Sequence, residues 1–216
     1  MILAKSINNF IKEVESDSPI PGGGSVSSLV GAFGTALARM YQNLSFNRKK
    51  YEASDEATKT EFVRVFAELA EVQKELLSYV IKDAEAYNGV IAAYKLPKES
   101  EVEKNERSQA IFDATLLAID SPLSIMRLSV KALSLLKIIA GKGNDNAISD
   151  VAVGAILLAS AVEGASLNVL INLTANNQMI HEKILTEYES LLEAMKYEKA
   201  LVMELVLAKI NPKDRY

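Results

Sequence analysis

Hydrophobic and polar positions repeat with helical period along almost the whole chain. Residues 4–15 place Ile7, Phe10, Ile11 and Val14 on one face, which predicts a short amphipathic helix. Residues 25–45 carry two stripes. Val26, Val30, Phe33, Leu37, Met40 and Leu44 make a large apolar one, and Ser27, Gly31, Gly34 and Ala38 a small one. The small stripe predicts close approach of another helix, within or between subunits. Residues 55–94 predict one long helix or two in line, about 60 Å if unbroken at 1.5 Å per residue.

Residues 99–119 predict the next helix. Ser121-Pro122 then reads as a stop and restart, with proline at the first position of a helix over 122–140 that closes at Gly141. Residues 148–174 are the most apolar segment. Asp150, Glu163, Asn168 and Asn172 interrupt it, so it predicts a central helix packed on all sides rather than a membrane span. Residues 176–210 predict a last amphipathic helix. No stretch alternates as a strand would. The expected class is all-α: a single-domain bundle of six or seven helices over residues 1–216, with a long helix and a buried central one.

Composition narrows the chemistry. The chain is 49% hydrophobic and 24% charged, as expected for a globular protein with a sizeable core. A net charge of -4 gives no basic excess for a nucleic acid, and no nucleic-acid partner is expected. There is no cysteine, so disulfides, iron–sulfur clusters and thiolate zinc sites are ruled out. The first residues lack a signal-peptide pattern, and a cytoplasmic location without membrane attachment is expected. The one histidine, His181, has polar neighbours and is expected at the surface. A Ser-His-Asp triad and a di-iron site are therefore poor fits. Acid–base chemistry must come from Asp, Glu, Lys or Tyr.

One stretch stands out: Pro-Ile-Pro-Gly-Gly-Gly-Ser at 19–25, directly before an apolar helix. Ser25 can cap that helix. Gly22, Gly23 and Gly24 would let an anionic or electron-rich ligand reach the first-turn amides. The alternative is a tight loop at a helix–helix contact.

PIPGGGSVSSLVGAFGTALARM resembles the opening signature of the cyclodeaminase/cyclohydrolase family. This family includes the C-terminal domain of formiminotransferase-cyclodeaminase and stand-alone methenyltetrahydrofolate cyclohydrolases. Three further segments match in order: NLSFNRKKY at 43–51, DAEAYNGVIAAYKLPK at 83–98, and GNDNAISDVAVGAILLASAVEGASLNVLINL at 143–173. Three positions depart from the family's pattern. Asn47 stands where glycine is common, Leu170 where a basic residue is usual, and Ile81 where an acidic one is often seen.

The resemblance implies an enzyme of folate one-carbon metabolism. It would be a cyclohydrolase, converting 5,10-methenyl-tetrahydrofolate and water to 10-formyl-tetrahydrofolate, or a cyclodeaminase, converting 5-formimino-tetrahydrofolate to the methenyl form and ammonia. The alternative is a folate-binding relative without turnover. Neither reaction needs a metal or a cofactor beyond the folate substrate. The resemblance implies a homodimer and assigns Asp83 as the acid/base. Tyr87, four residues on, shares its helix face. Gly22 to Gly24 and Ser25 would admit the folate. Lys49 and Lys50 either attract its glutamate tail or form a solvated helix end. Asp150 either caps its helix or receives the pterin edge. On the ridge Ser160, Gly164, Asn168 and Asn172, Gly164 allows close approach of a ring or helix. Asn168 is expected at the ligand, and Asn172 in a structural hydrogen bond.

Overall fold

The computed structural model describes residues 6–173 and 178–210. These form seven α-helices: α1 Ile7–Val14, α2 Gly23–Asn43, α3 Lys49–Glu52, α4 Glu56–Tyr94, α5 Glu101–Ile139, α6 Ile148–Asn172 and α7 Gln178–Ile210. A 3-10 turn at Asp145–Ala147 leads into α6, and no strand occurs among the described residues. The all-α class is as expected; the short α3 was not anticipated.

The helix starts follow capping chemistry. Asp55 accepts from the Thr58 N–H at 2.7 Å to open α4. Ser100 and Glu103 form a reciprocal capping box at the start of α5. Both long helices then continue for 39 residues. They lie antiparallel, since Asp83 meets Ser121 near the middle while Arg107 meets Tyr94 at the joined ends. α2 and α6 are antiparallel too: Gly23 faces Asn168, Ser27 faces Gly164, and Gly34 faces Gly154. The core lies between these two pairs and is closed by α7. Phe62, Leu69, Leu76, Met126, Leu133 and Leu158 are among its fully buried side chains.

The expected break at Ser121-Pro122 is absent: α5 runs straight through the proline. Pro122 has no N–H, so the Ala118 carbonyl four residues back loses its helical donor. Asn172 replaces it. Its Nδ2 donates to the Ala118 oxygen at 2.8 Å, so an interior proline is tolerated because α6 supplies the missing bond. This is the structural role expected for Asn172.

The two stripes of α2 face opposite ways. Ser27, Gly31, Gly34 and Ala38 point inward, within the subunit. The large apolar stripe points out, with Phe33 47% exposed. α6 is likewise not buried all round. It packs on α2, α5 and α7, but Val153, Ile156, Leu167 and Ile171 remain exposed. α6 is also the one helix among the described residues long and apolar enough to cross a membrane. Twelve of its residues are buried against neighbouring helices, which marks it as the core helix of the bundle.

The α2–α6 crossing depends on two glycines. A Cβ on Gly34 would lie 2.8 Å from both the Gly154 carbonyl oxygen and Leu158 Cγ. Backbone cannot yield as a side-chain tip can. Gly34→Ala is expected to destabilise the protein by about 1–3 kcal/mol, measured as a lower midpoint in urea unfolding with an unchanged slope.

Candidate active site

α2 begins two residues earlier than the sequence suggests. Gly22 is its N-cap and offers no side chain to the first-turn amides. Ser25 therefore does not cap the helix; it sits in the first turn, fully buried. The capping role passes to a residue 58 positions away. The Asp83 carboxylate, on α4, receives the Ser25 hydroxyl at 3.1 Å and is also hydrogen-bonded by the Ser25 main chain. The Ser121 hydroxyl of α5 approaches its other oxygen at 3.5 Å. Three helices thus converge on one carboxyl group. Gly24 makes room for it, because a Cβ there would overlap the carboxyl itself.

This carboxylate opens into a cleft of about 270 Å³. Gly22, Gly23, Gly24, Asp83, Tyr87 and Asn168 line it, so six of the residues expected at the site come together there. Ser25 joins them through Asp83. Pro19, Ile20, Val90, Ala118, Ile171 and Asn172 complete the walls. Asn168 donates back to the Gly164 carbonyl at 2.9 Å, and its own side-chain oxygen accepts nothing from the described residues. That oxygen is an available acceptor beside Gly23.

Gly164 itself does not line the cleft. It packs against Ser27, whose hydroxyl would meet any Cβ placed there. Asp150 neither caps α6 nor reaches the cleft. The N-cap is Ala147, without a side-chain bond, and Asp150 occupies the first turn, where its charge favours the helix dipole. Eighteen residues separate it from Asn168, about 27 Å along the helix. Lys49 and Lys50 lie on α3, beyond the far end of α2, and α2 is itself about 30 Å long. Lys50 is paired with Asp145 at 2.5 Å. Nearby, Tyr41 accepts from the Gly143 N–H at 2.6 Å, and burial pushes its hydroxyl up to about 12. The expected site residues therefore divide between opposite ends of the bundle. Asp83, Tyr87 and Asn168 are at one end, Lys49, Lys50 and Asp150 at the other.

Ser121 carries no site signal in the sequence, where its place before Pro122 reads only as helix punctuation. His181 is partly buried on α7 and does not line the cleft. Among the described residues no group of three or more His, Cys, Asp or Glu could hold a metal.

Burial raises the pKa of Asp83, and the bonds from Ser25 and Ser121 oppose this without cancelling it. The folded protein therefore holds this proton more tightly than the unfolded chain. Stability tied to Asp83 is fully present below the ordinary aspartate range and is lost as pH rises towards the folded pKa. Asp83→Asn is accordingly expected to melt at a higher temperature than the native protein at pH 7. The difference should shrink as pH falls below the ordinary aspartate value, read by calorimetry across that range.

A carboxylic group with a raised pKa, at the floor of a cleft and beside helix amides, can accept a proton and return it. The chain is similar to known proteins over nearly its whole length. Residues 6–190 match the family described as formiminotransferase-cyclodeaminase. The chain is 32% identical over 208 residues to a methenyltetrahydrofolate cyclohydrolase of Methylorubrum extorquens, covering 96% of this chain and 98% of that one. It is 32% identical over 203 residues to the formimidoyltransferase-cyclodeaminase of Rattus norvegicus, covering 94% of this chain but only 37% of that longer protein. It also superimposes on the crystal structure of formiminotetrahydrofolate cyclodeaminase from Thermotoga maritima. There the TM-score is 0.83 at 28% identity, covering 95% of this chain and 98% of the other. The chain belongs to the formiminotransferase-cyclodeaminase family.

Proposed function

We propose that the protein is a methenyltetrahydrofolate cyclohydrolase with Asp83 as its acid/base. The observation that carries this reading is the buried Asp83 carboxyl, held between Ser25 and Ser121 at the cleft floor. The near full-length similarity to a stand-alone cyclohydrolase supports it. In the reaction, water attacks the carbon between N5 and N10 and gives up a proton to Asp83. The resulting tetrahedral carbon breaks its bond to N5, which takes the proton back from Asp83. The carbinol oxygen loses its own proton to solvent and becomes the formyl carbonyl. Gly22 and Gly23 leave the start of α2 open to the pterin, Gly24 makes room for the Asp83 carboxyl, and Asn168 offers the pterin an acceptor. Tyr87 stands on the same α4 face as Asp83.

A second reading, formimino-tetrahydrofolate cyclodeaminase, is favoured by the similarity to the solved cyclodeaminase. There N10 attacks the formimino carbon, and the same carboxyl passes the N10 proton and then one from solvent to the imino nitrogen, which departs as ammonia and leaves the methenyl cation. Absorbance separates the two. A cyclohydrolase bleaches the near-ultraviolet band of 5,10-methenyl-tetrahydrofolate. A cyclodeaminase makes that band appear from 5-formimino-tetrahydrofolate. Folate binding with neither change would leave the non-catalytic alternative.

The protein acts in the cytoplasm as a homodimer in this reading. The exposed stripe of α2 and the exposed edge of α6 lie side by side as an apolar face suited to a second copy. A monomer by sedimentation at micromolar concentration would oppose the dimer.

A further inference from the structure

α4 and α5 extend past the cleft as a two-helix arm. α2 starts at Gly23 and α6 ends at Asn172, both at the cleft, while the arm continues for about eleven residues beyond Asp83. Beyond Ala84, only Ala93 of α4 is buried. Positions 83, 87, 90 and 94 fall on one face of α4, because steps of four, three and four residues keep nearly the same helical angle. The face that begins with Asp83 therefore continues through Tyr87 and Val90 to Tyr94, about 16 Å away.

The tip of this arm carries the cations Lys95, Lys98 and Arg107 within a segment, 94–107, of no net charge. Arg107 of α5 lies over the Tyr94 ring, its guanidinium carbon 5.6 Å from the centroid. It also donates to the Tyr94 carbonyl at 3.2 and 3.3 Å, which leaves its remaining N–H groups without a protein acceptor. Lys95 and Lys98 follow in the turn. None of the three is within ion-pair distance of a carboxylate among the described residues. Of the neighbouring acids, Glu101 holds Lys104 at 2.6 Å and Glu103 bonds the Ser100 and Glu99 amides, while Glu99 and Glu106 lie exposed without an ion pair among the described residues.

We infer that the glutamate end of the folate substrate lies along this α4 face and is held by Arg107, Lys95 and Lys98. This inference rests on the folate reading of the cleft. One aromatic ring and one amide separate N10 of a folate from its first carboxylate. Together with the reach of an arginine or lysine side chain, they span the distance from Asp83 to the arm tip. Tyr87 and Val90 give the ring an apolar track. Lys49 and Lys50, at the opposite end of the bundle, are too far away to take this role within one chain.

The test uses two substrates, 5,10-methenyl-tetrahydrofolate and the same compound lacking glutamate. The native protein is compared with the triple variant Lys95→Gln/Lys98→Gln/Arg107→Gln, and affinity and turnover are both measured. The expected result is a roughly tenfold rise in KM for the glutamate-bearing substrate in the variant. kcat should be unchanged, and so should KM for the glutamate-free compound. The effect should fade as salt is raised. Lys95→Gln/Lys98→Gln alone removes no protein hydrogen bond and should show part of the same shift, which separates recognition from arm folding. Equal KM changes for both substrates, or none for either, would overturn the inference while leaving the cyclohydrolase reading intact. Glutamate-dependent binding that the variant loses, without turnover in the native protein, would uphold the inference and sink that reading. Absence of both binding and turnover would overturn both.

Discussion

Asp83→Asn lowers kcat by about 10²- to 10⁴-fold, the usual contribution of a positioned acid or base. The substitution keeps the side chain's size and its polarity towards Ser25 and Ser121. It removes only the ability to take and return a proton. KM should therefore change little, because the cleft walls and the start of α2 are untouched. The same variant should be at least as stable as the native protein at pH 7, since a desolvated charge is removed from the meeting point of three helices. Loss of activity with gain of stability is the pattern of a group kept for chemistry. A structural aspartate would show the reverse. Steady-state kinetics with a melting curve on the same sample reads both quantities.

Gly24→Ala is expected to lower kcat by about 10²-fold through a different route. The added methyl would occupy the space of the Asp83 carboxyl. The carboxyl is the end of a side chain and can rotate aside, so the fold survives. Alanine is also a better helix residue than glycine, and the melting temperature should move little. What is lost is position, and a displacement of about 1 Å at a reacting group can cost that much rate. Because both substitutions act on one carboxyl, their effects cannot add. Gly24→Ala placed on Asp83→Asn should cause almost no further loss in kcat. Additive losses would mean that Gly24 serves the substrate directly and not through Asp83.

The helical pattern carried most of the fold, because amphipathic helices write their buried faces into the sequence at a fixed spacing. It failed where a partner far along the chain decides the outcome. Pro122 reads as a break until Asn172 supplies the bond that it lacks. The large stripe of α2 looks like a core face, yet small residues face inward there because α6 passes close at Gly34 and Gly154. The site followed the same rule. The glycines and Asp83 were legible as motifs, and the cleft joins them. Ser25 was legible as a polar residue at a helix start, but the acceptor of its hydroxyl lies on α4, out of reach of local reasoning. Lys49, Lys50 and Asp150 sit in motifs of equal strength, but sequence order gives no measure of the length of α2 and α6 that separates them from Asp83.

The central claim is that the Asp83 carboxyl moves the proton when the methenyl bridge opens. Single-turnover decay of 5,10-methenyl-tetrahydrofolate absorbance, with protein in excess at pH 7, isolates that step from product release. The native protein should bleach the substrate far faster than buffer does. Asp83→Asn should bind the substrate and bleach it no faster than about 10⁻² of the native rate. Decay by the variant at the native rate would contradict the claim and remove Asp83 from the chemistry.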